Sequence, residues 1–181
     1  MVFTLEQAVD IKAEVESGSG RYINPSKIDG EIRVRLFGEG ITGYEGWTTD
    51  NKPLRWQQKP SEYPDDIRKN EDGRDPVRHF IAAIAWDYEA EEFKVLSMTQ
   101  KTLIKRVMEL IADEDWGDCT EYDLKIGRKG EKLNTEYTIT PAAKGKAAPK
   151  AAIAAYQDLD VDLTLMYDGE DPFKGADKVA A

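Results

Sequence analysis

The chain has 181 residues, 40% hydrophobic and 9% aromatic, with 35 acids against 25 bases and a net charge of −10. That length and apolar content suffice for one domain with a buried core, and the acidic balance excludes a duplex-DNA binder that relies on overall positive charge. Cys119 is the only cysteine, which excludes an intrachain disulfide and points to a reducing compartment.

At the N-terminus, FTLEQAVDIKAEVE is amphipathic and acidic rather than leader-like. Thr4 and Gln7 form a capping-box pattern, and Leu5, Ala8, Val9, Ile11 and Val15 continue with helical spacing, which predicts a short helix to about Glu16. SGSGRYINPSK breaks it. In EIRVRLFGEG, Ile32, Val34 and Leu36 alternate with Arg33 and Arg35 as in a half-buried strand with one basic face. GYEGWT leads to a turn signal at Asp50 to Pro53, and residues 54–78, rich in Pro, Gly and charge, read as a long irregular excursion. His79 to Tyr88 and Phe93 to Met98 then predict a central hairpin, with Phe80, Trp86 and Phe93 assigned to packing.

QKTLIKRVMELIADEDW predicts one amphipathic helix, with Leu103, Ile104, Val107, Met108, Leu110 and Ile111 on its buried face and Gly117 as a stop. Tyr122 to Lys129 and Asn134 to Thr140 form a second hairpin around KGEK that Pro141 ends; Trp116, Tyr122 and Tyr137 are further packing residues. The order is strand, strand, strand, helix, strand, strand, that of an OB barrel. The fold class expected is mainly β, a five-stranded OB-fold barrel with one helix between its third and fourth strands. Residues 1–20 form an N-terminal helix and linker, 21–141 the barrel, and 142–181 a basic linker, a short helix at Ala151 to Tyr156 and an acidic arm.

Several motifs lead nowhere. GEGITG at Gly38 to Gly43 fits a dinucleotide-binding pattern, but no helix follows to face a pyrophosphate, so its glycines are read as bending a strand. Asp158, Asp160 and Asp162 resemble the start of a calcium loop that lacks its Gly and its closing Glu. One His and one Cys cannot make a Cys/His zinc site, and His79 reads as a structural or rim residue. No cofactor, metal or catalytic residue is expected.

What remains is aromatic and basic interleaving. Flat side chains stack on any base while Lys and Arg follow the phosphates. Arg33, Arg35, Tyr44, Trp47, Lys52, Arg55, Trp56 and Lys59 lie in and beside the strands that form the ligand face of OB domains; Tyr63 lies beside them. Residues 124–150 carry seven bases and two acids, so Lys125, Arg128, Lys129 and Lys132 around the second hairpin are the other cationic candidates, against ordinary solvated turn residues.

GYEGW, the hairpin HFIAAIAWDYEAEEFKVLSMTQKTL, DWG followed by YDLKIGRKG and TEYTITP, and the late DGEDPF resemble a family of bacteriophage single-stranded DNA-binding proteins, broadly similar to the helix-destabilising proteins of T-even phages. The likeness covers residues 25–173. It implies an OB fold and sequence-tolerant binding of single-stranded DNA in phage replication, recombination or repair, in the cytoplasm of a bacterial host. The zinc site of the T-even proteins does not carry over. Acidic tails closed by Phe recruit replication proteins in phage and bacteria, but here Phe173 is followed by KGADKVAA. Asp171, Pro172 and Phe173 therefore either dock on their own domain or meet host or phage replication proteins. The competing expectation is an acidic protein-interaction module, a DNA mimic or replisome adaptor, that binds no nucleic acid.

Overall fold

The computed structural model describes residues 20–173; the expected helix around Thr4, Gln7 and Val15 and the chain after Phe173 lie outside them. The architecture is mainly β. β1 (Tyr22–Ile23) and a tight helical turn (Pro25–Lys27) precede the 18-residue β2 (Gly30–Trp47), β3 (Pro53–Trp56), β4 (Arg78–Asp87) and β5 (Glu92–Met98). Then come α1 (Lys101–Ala112), β6 (Asp123–Lys129), β7 (Glu136–Ala142) and α2 (Lys150–Gln157). One sheet runs β1, β5, β4, β2, β6, β7, with β3 paired to the far end of β2. The β1–β5 pairing is parallel and the rest are antiparallel. The sheet is curled and open, a half-barrel.

β2 runs unbroken through the glycines and organises the sheet. Its first half pairs with β6, its middle with β4 and its end with β3. Between Phe37 and Ile41 the register to β4 shifts. Gly38 sits there at φ +64, and a Cβ at Gly40 would lie 2.8 Å from the Ala82 carbonyl oxygen. Only glycine fits that approach, so GEGITG is a bulge that bends the strand.

Alternation gives the sheet two apolar faces. On the inner one, Val34, Leu96, Leu124, Ile126 and Ile139 pack with Leu103, Val107 and Leu110 of α1. On the outer one, Phe80, Ala82, Ile84 and Val95 are covered by the C-terminal arm through Leu163, Met166 and Phe173. α1 therefore buries a narrow i, i+4, i+7 stripe; Met108 and Ile111, expected inside, are 45% and 51% exposed. The open curl offers α1 one surface, which a three-residue stripe suffices to cover.

Two further expectations are corrected. The excursion opens with an ordered strand, β3, and a bridge between Thr48 and Ile67 ties its middle back to β2. Its later part is held by Asp75, which accepts hydrogen bonds from Lys59, the Val77 amide and Tyr63; these hold its carboxyl down at about 2. Pro141 does not end the second hairpin, because β7 continues to Ala142. As an edge strand, β7 tolerates a residue with no N–H. Among the described residues no helix is long and apolar enough to cross a membrane.

Candidate functional site

Directly paired residues of neighbouring strands share a face, so the registers at the end of β2 sort the aromatic and basic candidates. Tyr44 pairs with both Trp56 and His79, giving a row of three rings; the Tyr44 and His79 rings lie 4.4 Å apart. Glu45 pairs with both Arg55 and Arg78 on the opposite face. Trp47 belongs to that second face and is 40% exposed. Tyr44 and Trp56 are thus separated by the sheet from Trp47 and Arg55.

Around Trp47 the surface is concave. A cavity of about 440 Å³ is lined by Tyr22, Lys27, Glu45, Trp47, Arg55 and, from the arm, Gly169 to Asp171. A second recess of about 230 Å³ shares Glu45, Trp47 and Thr99 with the first and adds Arg68 and Arg78. Trp47 therefore stands where two recesses join. The floor is fixed by the Arg55–Glu45 ion pair, 2.8 Å with Glu45 buried and Arg55 largely so, and by the Phe80 ring 5.7 Å from the Arg55 guanidinium. The Tyr22 phenol is pushed up from its ordinary value by burial, with Asp171 and Glu45 adding and Arg55 opposing. The site thus places cations, an exposed indole and the acids of the arm within one groove.

Arg35 is not part of that surface. It is 3% exposed; its Nε donates to Asp123 at 2.6 Å and its Nη2 to the Lys146 carbonyl. Arg33 donates to the other Asp123 oxygen at 2.8 Å and lies over the Tyr88 ring. The Tyr88 hydroxyl donates to Asp123 as well; burial and that bond push its pKa up to about 12. Burial disfavours the ionised Asp123 carboxyl, but the bonds from Arg35, Tyr88 and Arg33 outweigh it and hold its pKa below the ordinary value. The basic face read from EIRVR is thus largely a folded-state charge cluster.

No family model, curated protein or solved structure matches this chain. The site is therefore argued from its own residues. Lys52 projects from the turn after Trp47, and Lys59 is engaged with Asp75. Lys125, Arg128, Lys129 and Lys132 lie on the β6–β7 hairpin, away from Trp47 along β2, and their side chains have no hydrogen-bond or ion-pair partner among the described residues. The two cationic regions are bridged by the Pro25–Lys27 turn, which packs on β6 while Lys27 lines the main cavity.

Asp171, Pro172 and Phe173 dock on their own domain. Phe173 is 5% exposed, its amide bonds the Asp171 carboxylate, and Arg21 reaches both the Phe173 ring and Asp171. Lys27, Arg68 and Arg78 were not among the sequence candidates. Their signal lies in the strand register and in how the excursion folds back, neither of which is local. Among the described residues no group of three His, Cys, Asp or Glu side chains is placed to hold a metal ion.

Proposed function

We propose that this chain is a non-enzymatic OB domain that binds single-stranded DNA with little sequence preference, serving phage replication, recombination or repair. The observation that carries the reading is Trp47, an exposed indole at the junction of two recesses that bring Lys27, Arg55, Arg68 and Arg78 together. Stacking on such a ring with cations along the backbone is how single strands are held without base readout. The pairing order also supports an OB assignment. A long first strand meets the second and fourth barrel strands (β4 and β6), β4 pairs with β5, β6 with β7, and the helix lies between β5 and β6. The 48–77 excursion then falls where OB domains carry a ligand-gripping loop.

The arm covers the outer face of β4 and β5, the one across which OB domains commonly lay a strand. The path is therefore displaced toward the end of β2. Intrinsic tryptophan fluorescence titrated with an oligo(dT) of about 30 nucleotides tests this, with the duplex as control. Trp47→Ala is expected to weaken binding about tenfold to a hundredfold, equivalent to about 1–3 kcal/mol of stacking. Trp56→Ala, on the other face, is expected to leave it unchanged. The reverse pattern would move the path to the Tyr44–His79 row.

Glu170 and Asp171 form an acidic wall of the cavity and oppose phosphate. The pair Glu170→Gln and Asp171→Asn is expected to raise oligo(dT) affinity about threefold at low salt and to have no effect near 1 M salt, where charges are screened beyond about 3 Å. The same wall supports a second reading, a protein-interaction module that takes a basic partner. That reading requires that no nucleic acid bind at any salt.

A further inference from the structure

We propose that the tip of the β6–β7 hairpin is an unstacking wedge, in which Leu133 enters between bases where a duplex meets a single strand while Lys129 and Lys132 hold the flanking phosphates. The proposal rests on the single-strand-binding reading above and assigns it a substrate class, the junction rather than the open strand alone. Leu133 is fully exposed, at 102% of its reference area, far beyond Ile111, the next of the large exposed hydrophobics. An isobutyl group held entirely in water contributes nothing to this fold.

The turn that carries Leu133 is built to hold it out. Lys132 and Leu133 lie in a tight helical turn, Lys132–Asn134, whose first residue adopts φ +52, a left-handed conformation that a lysine rarely occupies. Gly130 allows the return of the chain, since a Cβ there would lie 2.1 Å from the Asn134 carbonyl oxygen. The Asn134 amide bonds the Glu131 carbonyl at 3.0 Å, and the Thr135 hydroxyl bonds the Lys132 carbonyl at 2.9 Å. The tip is thus a closed knot with one apolar side chain at its apex.

Its charge fits a phosphate backbone. Lys125, Arg128, Lys129 and Lys132 are unpartnered among the described residues. Glu131 and Glu136 are the acids near the tip, and among the described residues neither forms an ion pair with them. Apolar side chains inserted between base steps are a general means of parting a stack, and a base at a frayed end is the least costly to displace. Lys27 continues the cationic track toward Trp47, so a strand freed at the tip has a place to go.

The test uses the full chain with two DNA probes, an oligo(dT) and a hairpin with a single-stranded tail that carries a fluorophore and quencher at the stem end. Leu133→Ala is expected to bind oligo(dT) within about twofold of the parent, as an exposed substitution should. At equal saturation of the tail it should open the stem about tenfold less, the order expected when one unstacking contact is lost. Leu133→Phe should retain opening. Equal opening by the parent and Leu133→Ala would overturn the wedge with the binding reading intact. No oligo(dT) binding by the parent would instead overturn the binding reading, and the wedge with it.

Discussion

Replacing Asp123 with alanine is expected to cost about 3–5 kcal/mol of folding stability, the usual penalty for leaving a buried charge without its partner. Asp123 is 1% exposed and receives bonds from Arg35, Arg33 and Tyr88. Arg33 can turn to water, being partly exposed, but Arg35 cannot: its side chain is 4% exposed, and only the Lys146 carbonyl would remain to it. Against a total of about 5–15 kcal/mol for a domain, the variant should show a much lower urea midpoint with an unchanged slope. Arg35→Leu should cost less, because Asp123 keeps Arg33 and Tyr88 as donors and the leucine adds apolar packing. An equal loss for both would mean that the cluster contributes shape rather than charge.

The same carboxylate gives an acid limb. Its folded pKa lies below the ordinary carboxylate value, so the stabilisation is complete above about pH 4 and is lost as pH falls through the folded value. In Asp123→Asn that part of the acid dependence should vanish, leaving a flatter stability profile below about pH 4. An unchanged acid limb would assign acid sensitivity to other groups, with Asp87, also held down and paired with Lys94, as the next to examine.

Much of the fold was legible because strand alternation is local. Ile32, Val34 and Leu36, the run from His79 to Tyr88, and the second hairpin each declare their buried face within a few residues. Some site geometry was also present in the numbering. Tyr44 and Trp47 are three residues apart, an odd spacing that must place them on opposite faces once the strand runs unbroken through Gly46. Glycines at 38, 40, 43 and 46 interrupt the side-chain alternation that would have marked the strand as continuous. Arg35 could not be assigned from its own strand, since its partner Asp123 is 88 residues away and comes alongside only through the β2–β6 pairing. Leu133 was overlooked among lysines, although a single apolar residue in GEKLN was its signal.

Cutting the chain after Ala148 should do more than remove acidic charge. The arm covers the outer face with Leu163, Met166 and Phe173, each nearly inaccessible. At about 1.5–3 kcal/mol per buried side chain, their loss approaches the whole stability of a domain. Tyr156 on Phe37 and Phe93, and the Tyr167 hydroxyl on the Thr42 carbonyl, would go as well. The shortened chain is therefore expected to bind a hydrophobic dye and to lose cooperative unfolding, and Met166→Ala alone should cost about 2–5 kcal/mol. A shortened chain that folds fully and binds oligo(dT) more tightly would instead make the arm a detachable strap. The two outcomes differ in where the energy of the arm lies. If it lies in apolar burial, truncation cannot report on charge in the groove, and only Glu170→Gln with Asp171→Asn, which leaves the apolar side chains of the arm unchanged, separates the electrostatic role of the arm from its part in the core.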